Sequence, residues 1–401
     1  MSFQVALSGL NAASTDLQIT SNNIANANTN GFKTSRGEFA DVYSGDAVGI
    51  GNGVRLADVR QEFTQGNVEI TSRQLDLAIS GNGFFITSDN GSLLYSRVGA
   101  FGLDATGIVQ NSEGERLQVY PPVAGTAGFN TGALSDLRIT TDTSPPVAST
   151  EVDMGINLPA NATVPAVAPF DPNDPLSYNH STSTILFDSL GVSHTASYFF
   201  TKTAVSGGWN VNMSFDGNAV GAAQPFTFDS TGAISAPAGG NIAFPAVVPT
   251  NGADPLTINL AMGNSTQYGA DFTVNSLNPD GQASGRLRGI EISATGVVFA
   301  RFSNGESESL GKVALANFSN PEGLQKISDT SFQETFSSGI PQRGEATESN
   351  FGLLQSGALE ASNVDLTEQL VRLITAQRLF QANAQVISTE DSVTQTIINI
   401  R

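Results

Sequence analysis

Two segments at opposite ends of the chain constrain its fold most, because both run for many residues without a helix breaker. Between residues 2 and 24 the only glycine is Gly9 and proline is absent. Phe3, Ala6, Leu10, Ala13, Leu17 and Ile24 fall on a seven-residue repeat whose one polar member is Thr20. That spacing stacks the side chains on one helical stripe. A second stripe, Gln4, Ser8, Asn11, Thr15, Gln18 and Asn22, is polar yet uncharged. Residues 364–400 contain neither glycine nor proline. There Leu366, Leu370, Leu373, Phe380, Ala384 and Ile387 define an apolar stripe that Val386, Val393, Ile397 and Ile400 broaden. Gln377, Gln381, Gln385, Ser388, Ser392, Gln395 and Asn399 fall together in an uncharged arc of roughly 80° at 100° per residue. Ser362 or Asn363 is the expected N-cap of this helix, with Asp365 in its first turn complementing the dipole.

The segment between the helices reads as β structure. Asn-Gly pairs at 52–53, 82–83, 90–91 and 304–305 are flanked by short apolar alternations, the pattern of hairpins. Residues 103–109 (LDATGIV) and 292–298 (ISATGVV) echo each other and are expected as hairpins of one β domain assembled from distant parts of the chain. Composition changes between 144 and 285, where Lys202 is the single basic residue against ten acidic ones, a balance of 1 − 10 = −9. Prolines 145, 146, 165, 169, 172 and 175 crowd the start of this span. The fold expected is therefore mainly β with terminal α-helices, in a nested arrangement. Residues 1–24 and 364–401 form a coiled-coil-like helical domain and 25–72 a connecting segment. Residues 73–144 and 285–363 form an inner β domain, and 145–284 an inserted outer β domain.

Charge and chemistry exclude several function classes. The chain carries 37 acidic against 18 basic residues and no cysteine. No basic stripe is present for a nucleic acid, and disulfides, thiolate metal sites and a cysteine nucleophile are ruled out. The first lysine or arginine is Lys33, so the N-terminus lacks the basic and continuous apolar regions of a cleaved secretory signal. No apolar run has the length of a membrane span. The only histidines are His180 and His194, and no Gly-x-Ser-x-Gly elbow accompanies them. Asp171 and Asp174 lack the alternating acids of a calcium loop. No catalytic, cofactor-binding or metal site is assigned.

Helix faces directed to water ordinarily carry Lys, Glu and Arg, whereas the polar stripes here are uncharged. Helices of this size are marginal alone, so packing against other copies is the expected source of their stability. Phe3, Leu10, Leu17, Ile24, Leu366, Leu370, Leu373, Phe380 and Ile387 are the candidate subunit-interface residues.

The residues at both ends also resemble a known family. Asn22-Asn-Ile-Ala-Asn-Ala-Asn-Thr-Asn-Gly-Phe-Lys33 is similar to the N-terminal signature of the bacterial flagellar rod and hook proteins. Ser362-Asn-Val-Asp-Leu-Thr-Glu-Gln-Leu370 and Ala376-Gln-Arg-Leu-Phe-Gln-Ala-Asn-Ala384 are similar to the C-terminal one, with Phe380 where the family often has tyrosine. Phe63-Thr-Gln-Gly66 and Leu75-Asp-Leu-Ala-Ile-Ser-Gly-Asn-Gly-Phe-Phe85 resemble its core pattern. The motif positions are Asn22, Asn23, Asn26, Asn28, Gly31, Phe32, Asn363, Asp365, Gln377, Arg378, Gln381 and Asn383. The outer segment, with Ser181-Thr-Ser-Thr-Ile-Leu-Phe-Asp-Ser-Leu-Gly-Val-Ser-His194, is similar to that of hook members.

The resemblance implies a curved helical tubular polymer, extracellular in the bacterial flagellum, that acts as a universal joint carrying torque from rod to filament. It implies a homopolymer meeting rod, hook-cap and hook–filament junction proteins, exported by the flagellar type III apparatus, with no cofactor, nucleic acid or membrane insertion. The uncharged positions Gln381, Gln385, Ser388, Ser392, Gln395 and Asn399 are candidates for the lining of a central channel. Other readings are a distal rod or junction protein of the same family, or a secreted β-rich adhesin or carbohydrate-binding protein.

Overall fold

The computed structural model describes residues 2–43, 51–126, 128–139, 143–348 and 350–399. Its helices are α1 (Ser2–Ala25) and α2 (Leu366–Asn399), and the other regular elements are strands and two short 3₁₀ turns. The fold is mainly β with terminal helices, as the periodicity predicts. The cap of α2 differs from expectation. Asp365 Oδ1 accepts the N–H groups of Thr367 and Glu368 at 2.8 and 3.2 Å, so Asp365 is the N-cap, rather than Ser362 or Asn363 upstream of it. Asn363 is unavailable because its amide is already bonded to other segments, as described below. Among the described residues no helix is long and apolar enough to cross a membrane.

The chain divides into two compact units. Unit 1 comprises residues 1–140, 289–301 and 307–401, and unit 2 comprises 141–288 and 302–306.

In unit 1 the strands Phe84–Asp89, Ser92–Ser96, Arg116–Tyr120 and Ser307–Asn317 belong to a twelve-stranded sheet. Phe84, Ile86, Tyr95, Tyr120, Phe318 and Phe332 are buried on it. Their rings meet edge to face, Tyr95 to Phe318 at 4.8 Å and Phe84 to the flanking Phe63 at 5.5 Å, the geometry the ring quadrupole favours. The echoing segments are hairpin turns in the same sheet, joining Gly102–Leu103 to Val109–Gln110 and Leu287–Ile292 to Val297–Phe302.

Pairings remote in sequence close unit 1. Leu353–Ser356 runs antiparallel to Leu77–Ser80, and Ala358–Glu360 antiparallel to Val68–Ile70. The region 25–72 is not featureless. Ser35–Asp41 and Val54–Gln61 form an antiparallel pair in register from Ser35 opposite Gln61 to Asp41 opposite Val54. This pair lies along α1, where Val54 N–H donates to Ser8 Oγ.

Unit 2 contains a five-stranded antiparallel meander of His180–Phe187, Ser193–Lys202, Gly208–Phe215, Asn218–Phe228 and Ile234–Ala236. A four-stranded sheet places Glu151–Asn157 between Asn259–Ala261 and Thr273–Pro279. Alternate residues of both sheets, among them Tyr198, Phe200, Trp209, Val211, Val152, Met154 and Leu260, share one core. Period-two alternation delivers one face of each strand to that core.

Candidate functional site

The family-like motifs converge in unit 1, where α1 ends and α2 begins. Asn23 is buried in the last turns of α1. Its Nδ2 donates to Ser35 O at 2.8 Å and to Gln369 Oε1 at 3.1 Å, while its Oδ1 accepts Ser35 N–H at 3.0 Å. One side chain therefore fixes the exit from α1, the start of a strand and the second turn of α2. Asn26 and Thr29 close the turn that follows through Thr29 Oγ1 to Asn26 Oδ1 at 3.1 Å. Gly31 has φ +67°, and a Cβ there would lie 2.6 Å from Val98 Cγ2, so no larger residue fits. Its N–H donates to Glu360 O at 2.7 Å, and Phe32 beside it is buried.

Lys33 then enters a cluster that sequence reasoning missed. Its ammonium, fully buried, donates to Glu360 Oε1 and to Thr64 O, both at 2.7 Å. Glu360 Oε1 also accepts Gly66 N–H at 2.9 Å, and Oε2 accepts Arg97 Nη1 at 3.3 Å. Arg97 lies over the Phe84 ring, and its buried Nε has no hydrogen-bond partner among the described residues. One carboxylate thus compensates two cations out of contact with water. Burial pushes the Lys33 pKa down against the opposing pull of Glu360, and burial does the same to Arg97. The available signal was an acidic residue inside the otherwise apolar Ala358-Leu-Glu-Ala361.

Asn363 completes the junction. Its Oδ1 accepts Thr34 N–H and Oγ1–H, each at 2.8 Å, and its Nδ2 donates to Glu62 O at 2.7 Å and Thr64 Oγ1 at 2.9 Å. Gln65 adds a reciprocal pair with Ile79 O and Gly81 N–H, which accounts for the Thr-Gln-Gly and Ser-Gly-Asn-Gly motifs occurring together.

From this junction α1 and α2 run antiparallel, Asn23 beside Gln369 and Gly9 beside Asn383. The buried residues of the two helices are small or amide-bearing: Ala6, Ala13, Thr20, Asn23, Gln369 and Ala376. A Cβ on Gly9 would lie 2.8 Å from Asn383 Oδ1. Burial raises the Asp16 pKa, opposed by Arg372 across the seam.

The larger members of the predicted stripes are not used up inside this chain. Phe3, Leu366 and Leu370 are 47%, 46% and 50% exposed. Leu10, Leu17, Ile24, Leu373, Phe380 and Ile387 are half-buried along the flanks of the seam. A further exposed apolar row on α2 consists of Leu379, Val386, Val393 and Ile397.

Gln381, Gln385, Ser388, Ser392 and Gln395 are exposed, as are Asn22, Asn28, Gln377 and Arg378. The Asn399 side chain and Ile400 lie outside the described residues. Asp171 and Asp174 are occupied as acceptors for backbone N–H groups of their own loop, those of Asn173 and Leu176. Among the described residues no group of three or more His, Asp or Glu is placed to hold a metal ion.

Four family descriptions match the chain in sequence order. Residues 3–33 match the flagella basal body rod protein and 78–169 the flagellar hook protein FlgE/F/G D1 domain. Residues 157–282 match the flagellar basal body protein FlaE D2 domain and 355–400 the flagellar basal body rod FlgEFG protein C-terminal region. The flagellar hook protein FlgE of Escherichia coli K12 is 40% identical, with both chains covered completely. That of Salmonella typhimurium is 39% identical, again over both full lengths, and that of Borreliella burgdorferi is 32% identical over 98% of each chain. A crystal structure of the Helicobacter pylori flagellar hook protein FlgE2 matches 73% of this chain and all of its own, with TM-score 0.56 and 16% identity. That similarity is one of fold.

Proposed function

The chain belongs to the flagellar hook protein family, and on that premise we propose how its parts divide the labour of a hook subunit. It is a structural, non-enzymatic component of the extracellular flagellar hook, and its place is in a polymer of the rod–hook assembly.

The helical pair is the polymerising element. The observation that carries this reading is the seam: α1 and α2 bury small residues against each other and leave Phe3, Leu366, Leu370 and the Leu379–Ile397 row uncovered. Burying a Leu or Phe side chain contributes about 1.5–3 kcal/mol, so these side chains are the main stabilisation that contact with neighbouring copies adds. Phe3, Leu10, Leu17, Ile24, Leu366, Leu370, Leu373, Phe380 and Ile387 form that contact. Head-to-tail contacts of this kind do not close and therefore propagate as a helical array.

The uncharged arc of Gln381, Gln385, Ser388, Ser392, Gln395 and Asn399 lines the central channel, where exported chains meet no fixed charge. Residues 145–284 are the outer domain, 73–144 with 285–363 the inner β domain, and 25–72 connect them to the helices. The polymer joins rod proteins at one end and hook-cap and junction proteins at the other, bends as it rotates, and transmits torque to the filament. Electron microscopy of the purified chain under polymerising conditions tests the reading. Short curved tubes support it, and a chain that stays monomeric at every concentration and salt refutes it.

A further inference from the structure

The segment Ser181–His194 is singled out by its sequence, yet helix assembly makes no use of it. In unit 2 it builds an ion cluster around one histidine. The strand His180–Phe187 is followed by Asp188, which is 0% exposed. Asp188 Oδ1 accepts the N–H groups of Leu190 and Val192 at 2.9 and 2.8 Å. Its Oδ2 faces His194 Nε2 at 3.1 Å and accepts Asn251 Nδ2–H. On the other side of the ring, His194 Nδ1 lies 2.7 Å from Asp216 Oδ2, whose Oδ1 accepts Thr195 N–H at 2.8 Å. The ring stacks on Phe215 with centroids 4.7 Å apart.

Ionised carboxylates only accept hydrogen bonds. A ring with a carboxylate at each nitrogen is satisfied only as the imidazolium, with both nitrogens donating. A neutral ring must turn one lone pair towards a carboxylate. Asp188 and Asp216 are the charged groups that face the ring among the described residues.

The turn that Asp188 holds has a mechanical position. Gly191, at φ +79°, sits against Pro146, and a Cβ added there would lie 2.8 Å from Pro146 Cβ and 3.4 Å from Ser284 N. Pro146 and Ser284 flank the bridges Ser144–Gly285 and Val147–Gln282, which pair the stretches where the chain enters and leaves unit 2. Phe187 is tied to the same stretch through Ser149, whose N–H donates to Phe187 O at 2.8 Å.

We propose that His194 is a proton-operated brace: as the imidazolium it holds the 188–192 turn against the paired entry and exit stretches of unit 2, and proton loss releases that turn. The brace acts within one copy and is independent of polymerisation. Burial of the ring alone lowers its pKa, but hydrogen bonds to Asp216 and Asp188 outweigh that effect and hold it above the ordinary histidine value.

The test is a proton titration of the two histidines by NMR in the full-length monomer, with hydrogen exchange at Leu190 and Val192. His180, stacked on Phe272 and with no carboxylate at its ring among the described residues, serves as internal reference. His194 is expected to titrate above the ordinary histidine range, and Asp216→Asn to move that titration down. The Leu190 and Val192 amides are expected to exchange about tenfold faster, after correction for intrinsic rates, once His194 is neutral. In His194→Gln the same amides exchange fast at every pH. If that variant does not fold, Asp216→Asn carries the test, because it removes one partner without stranding a buried charge. A His194 titration at or below the ordinary value, or amide protection unchanged across its midpoint, overturns the proposal.

Discussion

Lys33 and Glu360 stand 327 positions apart in sequence and meet as a fully buried ion pair at 2.7 Å. The carboxylate also holds Arg97, Gly66 and, through its backbone, Gly31. Both helices therefore leave the β structure from one charged anchor. That arrangement makes the loss of a single carboxylate more damaging than the loss of either cation.

Glu360→Gln leaves two buried cations uncompensated, and the expected cost is about 3–5 kcal/mol. Lys33→Met keeps the Arg97–Glu360 pair and is expected to cost less. Denaturant unfolding of the monomer, followed by a probe in unit 1, ranks the two. Equal losses would show that the cluster does not act through charge balance.

Leu370→Asp changes a half-exposed side chain, so monomer stability should move by no more than about 0.5 kcal/mol. Polymerisation should suffer far more. Each lost 1.4 kcal/mol of contact raises the critical concentration about tenfold, as sedimentation of assembled material measures. An unchanged critical concentration would remove Leu370 from the interface.

Gly9→Val forces the seam apart, because even a Cβ at this position lies 2.8 Å from Asn383 Oδ1. Overpacking of this kind costs about 1–3 kcal/mol. Circular dichroism should register loss of helix with the β signal retained, and tubes should be absent from electron micrographs.

Gln381→Glu with Gln385→Glu puts fixed negative charge on an exposed, otherwise uncharged arc. The expected result is hooks of normal form with reduced export of filament subunits, read as filament length. Filaments of ordinary length would exclude this arc as the channel lining.

The stability of unit 2 should depend on pH in a defined direction. His194 has its folded pKa raised above 6.5, so its contribution is complete below that value and declines as pH rises through the folded pKa. Asp188 is held down to about 2, despite burial, by bonds from Asn251, His194 and the Val192 and Leu190 amides, and Asp216 is also lowered. Their contribution is complete above 3.8 and declines as pH falls through the lowered folded values. The joint contribution of these three groups is therefore greatest between about pH 4 and 6.5, while His180, its pKa lowered by burial, subtracts stability as pH falls below 6.5. Calorimetry of the full chain should find the alkaline decline from His194 missing in His194→Gln.

Much of this protein was legible in order of residues. Both helices follow from long runs without glycine or proline, and their uncharged polar stripes follow from the same repeat. The β character of the middle follows from Asn-Gly turns and alternation. Motif likeness at both ends points to the flagellar rod and hook family.

Less accessible was what each motif residue touches. Asn363 has the chemistry of an N-cap, yet Asp365 caps α2 because Thr34, Glu62 and Thr64 claim the Asn363 amide first. Glu360 shows locally only as an acid within an apolar stretch, which cannot name its partners, since these come from residues 33, 66 and 97.

The sequence by itself determined which segments are helical, where charge is scarce and to which family the ends are similar, because these depend on neighbours a few positions away. Tertiary structure alone decided that Ala6, Ala13 and Thr20 are buried while Phe3 stays open and Leu10 and Leu17 only half-buried. A seven-residue repeat defines a stripe but cannot say which of its members meets a partner. That choice rests on how closely two backbones approach, and α1 and α2 come close enough that a Cβ on Gly9 would lie 2.8 Å from Asn383 Oδ1.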